Sequence, residues 1–408
     1  MLLWRALDRM IRRGNLVIVD AAGGRHNFGD GSGPRCVVRF ADRRLEWELA
    51  LRPDPVLGEA YMDRRLLIEE GALYDFVDVC AGNAFRQWEE GGARMGLYAF
   101  ARLWHQYNPI TRSLQNVAHH YDLSDALYDR FLDDAARQYT CAYFSRPDMS
   151  IEQAQVAKLD LVARKLLLEP GQKVIDLGCG WGGLGMYLAA EHEVDVTGVT
   201  LSIEQVKHAN RCAAERGLAA ASRFLHLDYR QAEGVYDRVV SVGILEHVGI
   251  HYYDTFFQKV ADLMADDGVG LVHSIGRMRG PAWTSRFIRK YIFPGGYIPA
   301  LSEVMPSIER AGLWVTDMEI LRLHYAFTLR AWRERFYRHW DEVASIYDER
   351  FCRMWEMYLV CSELFFRRQD GMIFQVQLAK RRDTVPLTRD YLLAPREAAD
   401  PTHMRAAE

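Results

Sequence analysis

One stretch constrains this chain more than any other: Val174-Ile175-Asp176-Leu177-Gly178-Cys179-Gly180-Trp181-Gly182-Gly183. An apolar strand ends in an acid and runs straight into a tight glycine turn. Glycine lets backbone come close to a ligand where a Cβ would collide. The helix that follows starts with free N–H groups. Asp176, at the strand's end, can accept hydrogen bonds from a ribose or an ammonium group. A nicotinamide fingerprint reads Gly-x-Gly-x-x-Gly with an acid about twenty residues further on. Here the glycines are Gly178, Gly180 and Gly182, with Asp176 in front of them. The next strand ends Val199-Thr200-Leu201-Ser202, without an acid. The pattern favours S-adenosylmethionine over NAD; the plainer alternative is an ordinary strand-to-helix turn.

The surrounding pattern agrees with a nucleotide-type sheet. Ser150-Ile151-Glu152-Gln153 and Ser202-Ile203-Glu204-Gln205 read as capping boxes, opening helices towards Leu167 and Arg216. Strands are expected at Lys173 to Leu177, Val194 to Val199, Phe224 to Leu227, Asp237 to Val242 and Gly268 to Ile275, then at Trp314 to Ile320 and Met372 to Ala379. Strands alternating with helices predict a doubly wound α/β domain.

The first 110 or so residues have a different texture, that of a smaller α+β domain. A helix from Leu2 to about Arg13 interleaves Leu3, Leu7, Met10 and Ile11 with Arg5, Arg9, Arg12 and Arg13. Strand-like runs follow at Leu16 to Val19, Cys36 to Phe40 and Leu45 to Leu51, with a glycine-rich turn at 27–33. A helix is expected over Gly71 to Asn83, then a connector from Glu89 to about Thr111. The division predicted is 1–110, 111–385 and a disordered tail at 386–408.

Composition excludes some partners. Net charge is -4, so no global positive field holds the chain on nucleic acid or anionic lipid. The seven cysteines are scattered, without metal-type spacing, and read as reduced thiols in a cytoplasmic protein. No apolar run is long enough to span a bilayer, and the N-terminus does not read as a signal peptide. A membrane contact would need a local feature. The N-terminal helix is one candidate; its alternatives are packing on its own domain or on a second copy in a homodimer.

Further segments carry a resemblance. Phe131-Leu132-Asp133, Gln138-Tyr139-Thr140-Cys141-Ala142-Tyr143-Phe144 and Leu245-Glu246-His247-Val248-Gly249 resemble the cyclopropane-fatty-acid synthase family. So do Tyr121-Asp122, Leu201-Ser202-Ile203-Glu204-Gln205 and Val272-His273-Ser274-Ile275-Gly276. Ile292-Phe293-Pro294-Gly295-Gly296-Tyr297-Ile298-Pro299, His324-Tyr325-Ala326-Phe327-Thr328-Leu329 and Tyr347-Asp348-Glu349-Arg350-Phe351 also match, in the family's order. Gly58-Glu59-Ala60-Tyr61-Met62-Asp63 resembles the extra N-terminal domain of the members that act on bacterial phospholipids.

The resemblance implies a seven-stranded methyltransferase sheet, S-adenosyl-L-methionine as methyl donor and an unsaturated phospholipid acyl chain as acceptor. It implies that Tyr139, Thr140, Asp176, Gly178, Gly180, Gly182, Thr200, Ser202, Gln205, Asp228 and Tyr229 line the cofactor site. It implies a bicarbonate caged by Cys141, Glu246, His273, the backbone of Ile275 and Tyr325. No metal is implied. The enzyme would work in the cytoplasm, peripherally on the inner face of the membrane. Family members often carry a cysteine four residues before a C-terminal Phe-Arg pair. Here Ser362 stands there and Cys361 one step earlier, so Cys361 is assigned no role.

The chemistry suits these residues. An isolated alkene is a poor nucleophile and must be aligned with the methyl group, with water excluded. Methyl transfer leaves a cation on the acyl chain, and closing the ring removes a proton from the new methyl. A base must therefore sit in an otherwise apolar site. Taken singly, each residue has a plainer reading: Cys141 a buried thiol, Glu246 a helix-start acid, His273 a core histidine, Tyr325 a half-buried aromatic. Quenching the same cation by a hydride shift or by water would give a methylene, methyl-branched or hydroxylated chain. A lipid-binding protein with a degenerate fold and a small-molecule methyltransferase are the remaining alternatives. The apolar residues from Trp283 to Ile298 read either as an acyl channel or as a packed helix.

Overall fold

The structure, a computed structural model, describes residues 2–90, 125–134 and 136–393, without the side chains of 85–90. The Tyr121-Asp122 motif, most of the expected connector and residues 394–408 lie outside the described residues. The chain packs into two compact units. The first takes the described residues of Met1–Ala101 together with Trp283–Pro294 and Leu329–Gly371; the second takes those of Arg102–Ala282, Gly295–Thr328 and Met372–Glu408. The units are thus not two consecutive segments divided at residue 110. Helix Glu349–Arg368 explains why: it buries Trp355, Leu359 and Val360. Helices Leu73–Glu90 and Pro53–Met62 cover it within the first unit.

In the first unit, β1 (Asn15–Val19), β2 (Arg25–Phe28), β3 (Arg35–Phe40) and β4 (Leu66–Glu70) form a sheet in the order β2-β1-β3-β4. Helix Leu2–Met10 keeps its apolar face inside this unit. Leu3 and Ile11 are buried, and Trp4 stacks on His26 with ring centroids 4.0 Å apart. The face expected to meet a headgroup layer is therefore occupied, while Arg5, Arg9, Arg12 and Arg13 stay exposed.

The strand expected at Leu45 to Leu51 is instead a helix, Arg43–Leu51. Its residues alternate apolar and polar, but local chemistry decides otherwise. Asp42 accepts a hydrogen bond from the Leu45 N–H at 2.9 Å, a helix cap. Leu45 and Leu49, four apart, are the buried pair, and Trp47 and Leu51 face outward. Helix Arg286–Tyr291 takes the packed alternative: Asp54 accepts from the Arg286 and Phe287 N–H groups at 2.7 and 2.9 Å. The Phe287 ring lies where a Cβ on Gly58 would stand.

Two buried glutamates in this unit have every oxygen engaged. Glu363 takes Arg333 at 3.0 and 3.1 Å and Arg367 at 2.7 Å. Glu356 accepts from the hydroxyls of Tyr61 and Tyr337.

The second unit holds β5 (Lys173–Leu177), β6 (Asp195–Thr200), β7 (Ser222–His226), β8 (Tyr236–Val242), β9 (Met264–Arg277), β10 (Trp314–Ile320) and β11 (Gly371–Ala379). Their order is β10-β11-β9-β8-β5-β6-β7, with β5 to β9 parallel and β10 antiparallel to β11. This is the expected seven-stranded α/β sheet. The Ser150 capping box opens helix Ile151–Leu166 as read. At Ser202 only half the box forms, because the Gln205 side chain turns to Thr200. The chain runs β5 to β6 to β7 on one side, then returns to β8 beside β5. Ligands in such sheets bind at that switch, beyond the carboxyl ends of the strands.

Residues 386–393, expected to be disordered, include helix Asp390–Leu393. Arg389 pairs with Asp317 at 3.2 Å and the Tyr391 hydroxyl donates to Gln377 at 3.2 Å.

Candidate active site

The sequence-predicted residues lie at the ends of β5, β6, β7 and β8, on β9, in the loop before helix Ile151–Leu166 and on helix His324–Arg338. After β5, Gly178, Gly180 and Gly182 all have positive φ, at 91°, 54° and 83°. They are not equivalent. A Cβ on Gly182 would lie 2.7 Å from the Ala209 Cβ, and one on Gly178 3.1 Å from Ile244. A Cβ on Gly180 would meet no protein atom within 4 Å. Gly180 therefore faces open space, where backbone can approach a ligand. Asp176 is buried, and its Oδ1 has no hydrogen-bond partner among the described residues. Burial pushes its carboxyl up to about 7.

The β6 end gives a closed cluster: Thr200 Oγ1 donates to Gln205 Oε1 at 2.7 Å and the Gln205 N–H donates to Ser202 Oγ at 3.3 Å. Beyond β7, Asp228 is held by Arg230 through bonds of 2.7 and 2.6 Å. Its carboxylate is thus already engaged. Tyr229 beside it is buried.

At the β8 end, Glu246 opens helix Leu245–Val248 and is 7% exposed. Its Oε1 accepts the Ile275 N–H from β9 at 2.6 Å. Its Oε2 is buried without a hydrogen-bond partner among the described residues. Burial pushes this carboxyl up to about 7 as well. The Ile275 N–H is thus committed to Glu246, so its part in the site is to hold that carboxylate. His273, two residues earlier on β9, is buried. Burial, then the charges of Lys158 and Lys165, bring its imidazole down to about 3, so it is neutral.

The loop before helix Ile151–Leu166 supplies Tyr139, Thr140 and Cys141. Gln155 Nε2 donates to the Thr140 carbonyl at 2.9 Å, and Lys158 Nζ donates to Thr140 Oγ1 at 3.2 Å and to Gln138 Oε1. A Cβ on Gly243 would stand 3.1 Å from the Thr140 methyl, so this loop packs on the β8 end. The Tyr139 ring meets Tyr128 edge-on. Cys141 is buried, and burial pushes its thiol up, so it is an S–H rather than a thiolate. Next to it, the Ala142 N–H donates to Thr328 Oγ1 at 3.0 Å. Tyr325 lies one turn before Thr328 on the same helix and is 8% exposed. Cys361 belongs to the first unit, against Met357.

Sequence reading missed the polar groups beneath the site. Gln155, Lys158 and Lys165 in helix Ile151–Leu166, and Gln375 on β11, are fully buried. The signal was present: Met372-Ile373-Phe374-Gln375-Val376-Gln377-Leu378 places two amides on one face of an otherwise apolar strand. Buried polar groups cost free energy unless bonded, so such a pattern points to a network.

The comparisons bear on the family and the fold. The family described as mycolic acid cyclopropane synthetase matches residues 109–376. Cyclopropane-fatty-acyl-phospholipid synthase of Escherichia coli K12 is 42% identical over 261 residues, 64% of this chain and 66% of that protein. The match thus spans just under two thirds of that relative's length. A probable fatty acid methyltransferase of Pseudomonas putida is 40% identical, over 83% of this chain and 86% of its own. Among solved structures, mycolic acid cyclopropane synthase CmaA1 complexed with SAH and CTAB is 33% identical. It superposes with a TM-score of 0.62, over 67% of this chain and 99% of that one.

Proposed function

This chain belongs to the mycolic acid cyclopropane synthetase family. From that premise we propose that it transfers a methyl group from S-adenosylmethionine to the cis double bond of an unsaturated phospholipid acyl chain and closes it to a cyclopropane. The observation that carries the reading is Glu246: a buried carboxylate with one oxygen held by the Ile275 N–H, on the strand that also carries the neutral His273, and the other without a hydrogen-bond partner among the described residues. Ring closure needs a proton-handling group of this kind in a dry site.

The residues fit the donor. Gly180 leaves open space at the switch point, and Asp176 offers a buried, unpartnered acceptor to a hydroxyl or ammonium group. S-adenosylmethionine, when bound there, supplies the electrophilic methyl. The residues fit a small anion too: His273 can donate, Tyr325 can donate or accept, and Glu246 Oε2 can share a proton, while the Cys141 thiol donates to the Ala142 carbonyl at 3.3 Å. Bicarbonate, when bound, supplies the proton acceptor. With its carboxyl raised to about 7, Glu246 can hold a proton at Oε2 near neutral pH. Cys141, kept as a thiol, serves as a weak donor and not as a nucleophile. The E. coli relative's name supports phospholipid as acceptor, and SAH in the CmaA1 structure supports the donor.

The substrate would be reached peripherally, from the cytoplasmic face. Among the described residues no helix is long and apolar enough to cross a membrane. The P. putida relative favours one further reading, a methyl-branched or methylene fatty acid as product. Expression in bacteria lacking cyclopropane lipids decides between them. The proposal predicts upfield ring-methylene signals in the proton spectrum of extracted lipid. Methylated lipid without those signals would establish the second reading.

A further inference from the structure

Gln375 sits on β11, fully buried, between two groups that fix its orientation. Lys165 Nζ donates to its Oε1 at 2.7 Å. Its Nε2 lies 3.0 Å from His273 Nδ1. Lys165 in turn is buried and paired with Glu319. An ammonium has donors only, so the amide oxygen must face Lys165 and the amide N–H must face the imidazole. Facing a donor, Nδ1 can only accept. A neutral ring then carries its proton on Nε2.

We propose that Gln375, aimed by Lys165, is a positioning residue that sets the His273 tautomer, so that Nε2–H is the edge presented to the anion in the site. This rests on the function proposed above, but only for the identity of the anion. The tautomer itself follows from the chain of bonds. Reversing one link should reverse the outcome. In Gln375→Glu the carboxylate accepts from the ring and draws the proton to Nδ1. Nε2 then becomes an acceptor and repels an anion. Gln375→Met keeps the length and removes the donor, leaving neither tautomer enforced.

The test uses full-length protein labelled with 15N at histidine, the His273 signals being identified by their loss in His273→Asn. Long-range 15N–1H spectra report the tautomer directly. Wild type should show the Nε2–H form, and Gln375→Glu the Nδ1–H form. Turnover on unsaturated phospholipid vesicles should fall roughly 10–100-fold in Gln375→Glu, the range for partners that orient metal-bound histidines, and less in Gln375→Met, where the Nε2–H form stays partly populated. Affinity for S-adenosylhomocysteine should stay within about threefold, since Gln375 does not face the glycine turn. Should Gln375→Glu fail to fold, Gln375→Met carries the test, with mixed tautomers expected. An Nδ1–H ring in wild type overturns the inference, as does unchanged turnover when the tautomer has shifted. Wild type inactive on every lipid but with Nε2–H at His273 and a shifted tautomer in the variants would instead break the proposed function and leave the tautomer assignment standing.

Discussion

The two units each bury carboxylates, and the glutamates of the first are partnered differently from Glu246 in the second. In the first, Glu363 is gripped by two arginines and Glu356 by two tyrosine hydroxyls, with no oxygen left over. In the second, Glu246 is bonded on one side and bare on the other, and Asp176 also keeps a bare oxygen. An unpaired buried polar atom costs about 1–3 kcal/mol. Such atoms also occur elsewhere among the described residues, so it is their place beyond the carboxyl ends of the parallel strands that ties those of Glu246 and Asp176 to the proposed site. Glu356 and Glu363 act within the fold; Glu246 is the buried glutamate that the proposed function uses.

The largest expected effect comes from removing one glutamate of each kind. Glu246→Gln should lower turnover by about 10²–10⁴-fold, the range for a proton-transfer group, while the protein stays folded. Glu363→Ala should do the reverse: about 3–5 kcal/mol of stability lost, because two arginines are left without their partner. Turnover per folded molecule should persist. Rate measurements beside denaturant titrations check both, and an exchange of the two phenotypes would break the comparison.

Gly180 and Gly182 should divide in the same way. Gly180→Ala meets no protein atom and should weaken S-adenosylhomocysteine binding at least about tenfold. Its stability cost should be about 1–2 kcal/mol, the strain of a left-handed backbone. Gly182→Ala drives its Cβ into Ala209 and should destabilise more than it weakens binding per folded molecule. Calorimetry and thermal melts separate these outcomes.

The smallest effect is a pH signature. Both Glu246 and Asp176 are raised to about 7, from 4.5 and 3.8 in the unfolded chain. Between those limits the folded, ligand-free protein binds protons that the unfolded chain does not. Their contribution is present at low pH and is lost as pH rises towards 7. His273, lowered to about 3 from 6.5, acts oppositely: stability falls as pH drops below 6.5. The wild-type minus Glu246→Gln difference in unfolding free energy isolates one carboxyl. It should decline with rising pH by up to about 1.4 kcal/mol per unit between 4.5 and 7, then level off. A flat difference would mean that Glu246 is not raised.

The same contrast explains what the sequence made legible. The sheet was readable because β5, β6 and β8 are short strands of 5, 6 and 7 residues between helical segments, and Asp176 with its turn has few alternatives. The Glu246 and His273 segments were readable through resemblance. What escaped was side-chain partnering across distant segments. Lys165 and Gln375 touch, yet they are 210 residues apart. Leu45 to Leu51 reads as a strand from its alternation, while in the structure the Asp42 cap opens a helix there. The first unit draws on later stretches because helix Glu349–Arg368 needs cover that no local pattern announces.

The central claim is that the bare oxygen of Glu246 is kept for a proton acceptor bound beside it. The most direct test is methyl transfer by purified wild type and Glu246→Gln to unsaturated phospholipid vesicles, in buffer stripped of carbonate and again with bicarbonate restored. The account predicts that the wild-type rate falls on stripping and returns on restoration, while the variant stays slow in both. A wild-type rate that is unchanged in buffer shown to contain no bicarbonate would contradict it.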